Sequence, residues 1–274
     1  MSTTTAEPVG TMVRRWRERR RRSQLELSIA ADVSTRHLSW VETGRSTPSP
    51  AMIERLCEEL EVPLRERNRL HLAAGFAPPH PERAYVDLGT ARRAVDLVLT
   101  GLEPNPAVAV DLRWDLVAAN AAATRFLAGL PAALAAPRLN LLRATLHPDG
   151  LAPRIRNLAQ WRAVVLRRVR RQLARTDDPG LADLLAELAA YPAPEGTSED
   201  PVDAAHELVV PLRLSLPEGE LAFAYAMTVF GSPRDVTLDE SAVETFLPAD
   251  AATAEAVRAL AAGAPSASAY SWST

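Results

Sequence analysis

The chain has 274 residues, 47% of them apolar, enough for two domains with their own cores, and its single cysteine rules out an internal disulfide framework. All 31 basic side chains are arginine, which reads mainly as codon bias, and the net charge is −3. No apolar run approaches ~18 residues and no signal-peptide pattern is present, so a cytoplasmic chain without membrane contact is expected. The near-neutral total hides an asymmetry. Residues 1–80 hold 13 arginines against 10 acidic residues, a balance of +3, and the remaining 194 hold 18 against 24, a balance of −6. Seven of the arginines fall between Arg14 and Arg22. Such a split suggests a polyanion-binding end and a non-binding end.

Val9, Met12, Val13 and Trp16 recur at helical spacing with arginines on the other faces, which predicts a first helix. Ser23 is a good N-cap for QLELSIAA, a short second helix with Leu25 and Ile29 in period. Asp32 and Val33 make a tight break and Ser34 caps again. TRHLSWVE then puts Leu38 and Val41 on one side and Thr35, Arg36 and Ser39 on the other. Two short helices joined by about three residues, the second polar at its N-terminal end, form a helix-turn-helix, whose second helix enters the major groove by that end. Hydroxyl and guanidinium groups there reach base edges. Gly44 stops this helix, Ser49 and Pro50 start a fourth, and LRERNRLHLAAGF supplies a fifth ending at Gly75. Trp40 is expected as apolar cover between helices three and four. Cys57, in line with Ile53, Leu56 and Leu60, is expected as a buried structural thiol.

The run from RRWRERRRRSQ through VSTRHLSWVETGRSTPSP to LHLAAGFAP resembles the xenobiotic-response-element (Cro- and phage-repressor-like) helix-turn-helix regulators over roughly residues 9–78. The signature lies in SQ opening helix two, VS before the recognition helix, and ETGR with a proline soon after. The resemblance implies that Gln24 touches a phosphate and braces the recognition helix, and that Thr35, Arg36 and Ser39 face bases. Ser34 and Arg45 join this DNA-binding set, with Arg15 and Arg22 acting on all sequences alike. The family often has glycine where this chain has Arg21 and Asp32. Aspartate tolerates a left-handed backbone, but arginine there costs about 1 kcal/mol or more, so the first turn is expected to take a different path.

APPHPER, at 77–83, reads as a proline-rich hinge between a helix-turn-helix domain at 1–78 and a second domain at 84–262, with a small polar tail at 263–274 expected to be disordered. After a helix near Thr90–Leu102, the alternation of Val108, Val110, Leu112, Trp114 and Leu116 around a polar turn, followed by Asn120 opening an alanine-rich helix, predicts strand, turn, strand, helix. Later, HELVVPLRLSLPEGELAFAYAMTVFG alternates on both sides of a turn with Gly219 in its loop, a hairpin. Between them LAQWRAVVLRRVRRQLA carries an apolar stripe of Leu158, Trp161, Val165, Leu166, Val169 and Leu173. A mixed sheet with helices packed on it is the expected architecture.

DLRWDLVAANAAA, LNLLRATLHPDG, Trp161, DPGLADLLAEL, FGSPRDVTLDE and FLPADAATAEAVRAL resemble, in order, the ligand-binding domain of MmyB-like regulators, over about residues 84–260. The resemblance implies a PAS-like fold and a hydrophobic effector such as a fatty acid. It places Asn120, Asn140, Arg143, Arg154 and Trp161 as candidate lining residues, joined by Trp114 and Tyr225 from the apolar faces of the strands. The expected fold is therefore multidomain, an all-α five-helix helix-turn-helix domain followed by an α+β PAS-like domain. No G-x-S-x-G, no glycine-rich phosphate loop and no His or Cys pair at metal-ligand spacing occurs, and His147 and His206 are isolated. No catalytic residues, metal or cofactor are expected. The expected protein is a homodimeric regulator that binds a double-stranded DNA operator and senses a small hydrophobic effector. A domain serving only dimerisation or docking, or a small-molecule-modifying enzyme, are the competing readings.

Overall fold

Serines start three of the five helices of the N-terminal region, prolines precede the other two, and left-handed residues stop all five. The structure, a computed structural model, describes residues 7–193, 210–216, 219–231 and 233–262. Its first five helices are α1 (Val9–Arg19), α2 (Gln24–Ala30), α3 (Thr35–Glu42), α4 (Pro50–Glu59) and α5 (Leu64–Ala73). Ser23, Ser34 and Ser49 accept backbone N–H bonds from Glu26, His37 and Met52, and Glu26 returns a carboxylate to the Ser23 amide at 2.7 Å.

All five helices end in the same way. A left-handed residue follows each C-cap, and the next amide reaches back to the third-last helical carbonyl: Arg22 to Arg17, Val33 to Ser28, Arg45 to Trp40, Val62 to Cys57 and Phe76 to His71, at 2.8–3.1 Å. Glycine fills this place at Gly44 and Gly75. Arg21 (φ 54°), Asp32 (φ 51°) and Glu61 (φ 48°) fill it at the other three. The first turn thus keeps the glycine-type path despite its arginine. Its strain is offset by Arg17, whose guanidinium donates to the Arg22 carbonyl at 2.9 Å.

Trp16, Leu27, Leu38, Val41, Ile53, Leu56 and Leu70 form the core beneath these helices. Gly10 permits the approach of α1 to α3, because a Cβ there would collide with the Val41 carbonyl. Cys57 is buried, and burial pushes its thiol up to about 12. Trp40 departs from expectation. It is 38% exposed and lies on the surface of α3 instead of covering a helix interface.

The second part contains α6 (Thr90–Gly101), β1 (Ala107–Val110), β2 (Leu116–Ala119), α7 (Ala121–Leu127), α8 (Ala132–Ala135), α9 (Leu141–Leu146), α10 (Leu158–Thr176), α11 (Pro179–Ala190), β3 (Leu212–Leu216) and β4 (Gly219–Val229). In chain order there follow α12 (Val236–Asp239), which belongs to the first compact unit, then β5 (Ala242–Pro248) and α13 (Ala251–Ala262). The strands form one sheet in the order β2-β1-β5-β4-β3, antiparallel at every pairing and not mixed, giving the α+β PAS-like fold. Val108, Val110, Leu221 and Phe223 on one face pack with Trp161, Val165, Leu166 and Val169 of α10, while Ala107, Ala109 and Val243 on the other meet Val95 and Leu99 of α6. Asp111 makes the turn between β1 and β2, its Oδ1 accepting the amides of Arg113 and Asp115 at 2.9 and 3.0 Å. Gly219, expected in the later hairpin loop, opens β4 opposite Leu216, and the expected tail lies outside the described residues.

The chain divides into two compact units, one comprising residues up to Arg83 together with Ser232–Asp239, the other Ala84–Gly231 together with Glu240 onward. Relief of the left-handed strain at the helix stops should be measurable. Arg21→Gly and Glu61→Gly should each raise stability by up to about 1 kcal/mol in denaturant titrations, with Gly44→Ala lowering it by a similar amount.

Candidate functional site

The helix-turn-helix surface is organised around Glu42, at the end of α3, whose side chain is 2% exposed. Arg17 of α1 grips it bidentately, Nε to Oε1 at 2.7 Å and Nη2 to Oε2 at 2.9 Å. Gln24, the first residue of α2, donates to Oε2 at 2.8 Å. One carboxylate therefore joins α1, α2 and α3. Ser28 and Thr35 share a hydrogen bond of 2.7 Å across the turn, and Ser34 is occupied as the α3 cap. Arg36 is exposed, its guanidinium 4.5 Å from the centre of the Trp40 ring, and Ser39 is half-buried.

Charge pairing separates the arginines. Arg15 pairs with Glu7 and lies 3.9 Å from Glu66, and Arg22 pairs with Glu59 at 3.1 Å. Arg36 and Arg45 are exposed and have no carboxylate partner among the described residues. Arg36 and Arg45 thus place two cations without such a partner on the recognition helix and just past its end; the exposed Arg21 and Arg55 are alike in this but lie on other elements.

In the second unit most of the marked residues hold the fold together. Asn120 caps α7 through the Ala123 amide, takes the Ala107 amide on the same oxygen, and donates to the carbonyls of Asn105 and Leu99. Asn140 caps α9 and donates to the Arg113 carbonyl and to Asp115. Arg143 forms a two-pronged pair with Glu187 at 2.8–2.9 Å. Trp161 is buried edge-on against Tyr225 at 5.3 Å, and Trp114 donates its indole N–H to Gln172 at 2.9 Å.

Arg154, by contrast, lines a cavity. That cavity, about 250 Å³ and partly open to solvent, is lined by Pro104, Ala122, Arg125, Phe126, Gly129, Arg154, Leu216, Val257 and Leu260. Its walls are largely apolar, and its two arginines have no carboxylate partner among the described residues. Such a site suits a molecule with an apolar body and an anionic end. No group of three or more His, Cys, Asp or Glu among the described residues is placed to hold a metal ion.

A model of the MmyB-like transcription regulator ligand binding domain matches residues 91–260, more than half of the chain, and a helix-turn-helix domain model matches residues 9–70. The chain belongs to the MmyB-like transcription regulators. No curated protein matches it significantly. Among solved structures it has a likeness to "Structure of an RNA-binding Light-Oxygen-Voltage Receptor", at 12% identity over 94% of this chain and a TM-score of 0.25, and the match spans 64% of that structure's length.

For an MmyB-like regulator the cavity residues Arg125 and Phe126 were not singled out by sequence, because α7 reads as a plain alanine-rich helix and only the fold turns that side toward α13. Arg168 was missed too. It lies on the buried face of α10, bonded to Glu244 at 2.6 Å and stacked on Tyr225 at 4.2 Å and Trp114 at 4.9 Å. Burial pushes the Glu244 carboxyl up, and although desolvation works against it, Arg168 is held above its ordinary value by Glu244 and Tyr225. The signal was present, since position 168 is in helical register with Trp161 and Val165.

The Arg143–Glu187 pair gives a pH test. The hydrogen bond from Arg143 holds the Glu187 carboxyl below its ordinary range, with burial opposing and Tyr191 assisting. Such a group contributes stability that is present above its unfolded-state value of about 4.3 and lost as the pH falls through the lower, folded-state value. Glu187→Gln should be less stable than the wild type near pH 7, and the gap should close on acidification below about pH 4 in unfolding titrations.

Proposed function

We propose that this MmyB-like transcription regulator binds a two-fold operator as a homodimer through α2 and α3, and that a small amphipathic acid in the Arg125–Arg154 cavity sets its affinity for DNA. The observation that carries the reading is the pairing of an apolar cavity with two arginines that no carboxylate among the described residues neutralises, in a unit whose overall charge is acidic. An apolar cavity of about 150 Å³ holds one benzene, so about 250 Å³ accommodates roughly ten carbons. The favoured effector is therefore a medium-chain fatty acid or an acid of similar bulk, its carboxylate held by charge-assisted hydrogen bonds. No helix among the described residues is long and apolar enough to cross a membrane. The proposed location is the cytoplasm, where a DNA operator is within reach.

On the DNA side, Arg36 and Arg45 supply the free cations, Thr35 and Ser39 the hydroxyls, and Gln24 the phosphate contact at the start of α2. One unit covers few base pairs, so two copies reading half-sites about one helical turn, roughly 34 Å, apart supply the specificity. Arg36→Ala should weaken specific binding by roughly 1–3 kcal/mol and relax preference at one base pair in selection from a random-sequence pool. Unchanged affinity and preference would remove α3 from the groove.

The effector reading has its own check. Acids of about eight to ten carbons should raise the melting temperature and change operator affinity, their methyl esters should do neither, and Arg154→Ala should weaken acid binding about tenfold or more. A full panel without shift or bound acid would reduce the cavity to part of the core.

A further inference from the structure

Between β4 and β5 the chain makes an excursion that packs with the helix-turn-helix unit. Residues 233–239 belong to the first compact unit, although they lie within the span matched by the ligand-binding-domain model. Val229 pairs directly with Ala242, so the excursion is a loop whose two feet are one cross-strand pair of the sensor sheet.

The returning limb of this loop supplies what α5 lacks. The N-cap of α5 is Pro63, which has no side chain able to accept a backbone N–H. The amide of Leu64 donates instead to a carboxylate oxygen of Asp239, 175 positions later, at 3.3 Å. An anion there also opposes the positive end of the helix. Val236 is fully buried, and its amide donates to the Pro81 carbonyl at 2.9 Å. The Thr237 hydroxyl donates to the Arg83 carbonyl at 2.6 Å, and Asp235 folds back to accept the Thr237 amide at 3.0 Å. The receiving surface is itself organised by α5: Asn68 exchanges two hydrogen bonds with the backbone of His80, at 2.8 and 3.0 Å, and Arg65 pairs with Glu82 at 2.7 Å.

We propose that residues 233–239 are a clamp on the N-terminus of α5, through which the state of β4 and β5 controls the stability of the DNA-binding unit. Because both feet of the loop hang on the Val229–Ala242 pair, a change at that end of the sheet displaces both together, and the clamp is tightened or withdrawn as a whole. The inference goes beyond the effector reading and is independent of what occupies the cavity.

The test is hydrogen exchange of the full-length protein, read over residues 64–73. Asp239→Ala should speed exchange there about fivefold, the loss of one helix cap, Asp239→Asn should restore most of the protection, and Arg234→Ala, on the exposed side of the loop, should change nothing. Transmission is tested with Leu221→Ala in the core face of β4, or the milder Phe223→Leu if that variant fails to fold. Either should speed exchange over 64–73 in the ordinary chain and not in one with two glycines inserted after Gly231 and two before Glu240. Unchanged exchange in Asp239→Ala would overturn the clamp. Equal responses with and without the inserted slack, or none in either, would overturn control through it.

Discussion

The buried carboxylate of Glu42 is the constraint on which the recognition surface rests. Taking a charge out of water costs several kcal/mol, and Glu42 is tolerated only because Arg17 and Gln24 satisfy both of its oxygens. The same guanidinium holds the Arg22 carbonyl, so one side chain fixes the exit of α1, the start of α2 and the end of α3. The angle at which α3 presents Arg36 is thereby set by a network that is fully formed or badly broken. Partial occupancy leaves a charge without its partner.

Much of the N-terminal unit was readable because its determinants are local. A serine before a helical period, a proline at the first helical position and a glycine after the last turn act within a few residues, and each produced the cap or stop expected of it. The left-handed Arg21 was expected to divert its turn, and did not, because the Arg17 bond that holds the turn is recognisable only once Glu42 has been brought to it. In the sensor unit the elements were legible and the cavity was not. Asn120, Asn140 and Arg143 stand out in sequence as polar residues amid apolar ones, yet a polar residue in such a place serves a helix cap or an ion pair as readily as a ligand. The Asp239–Leu64 bond joins positions that no local pattern connects.

The arginine richness of the chain takes on meaning through its partners. Arg14, Arg15, Arg17 and Arg22 lie in the densest basic run, yet each has a carboxylate within its own unit. A run that resembles a polyanion-binding strip is, in large part, the adhesive between α1 and its neighbours. The net charge of a segment counts such residues the same as free ones, although their fields are largely cancelled at short range. What a nucleic acid meets is the smaller set left over.

The buried Cys57 has a consequence for work on this molecule. A thiol with a value of about 12 has almost no thiolate at neutral pH, and it is the chain's only cysteine. Burial and the scarcity of thiolate together predict slow alkylation of the folded protein, so that its native sulfur can be left in place. A cysteine introduced on the exposed faces of α3 or α6 would carry a fluorophore or spin label on an unlabelled background.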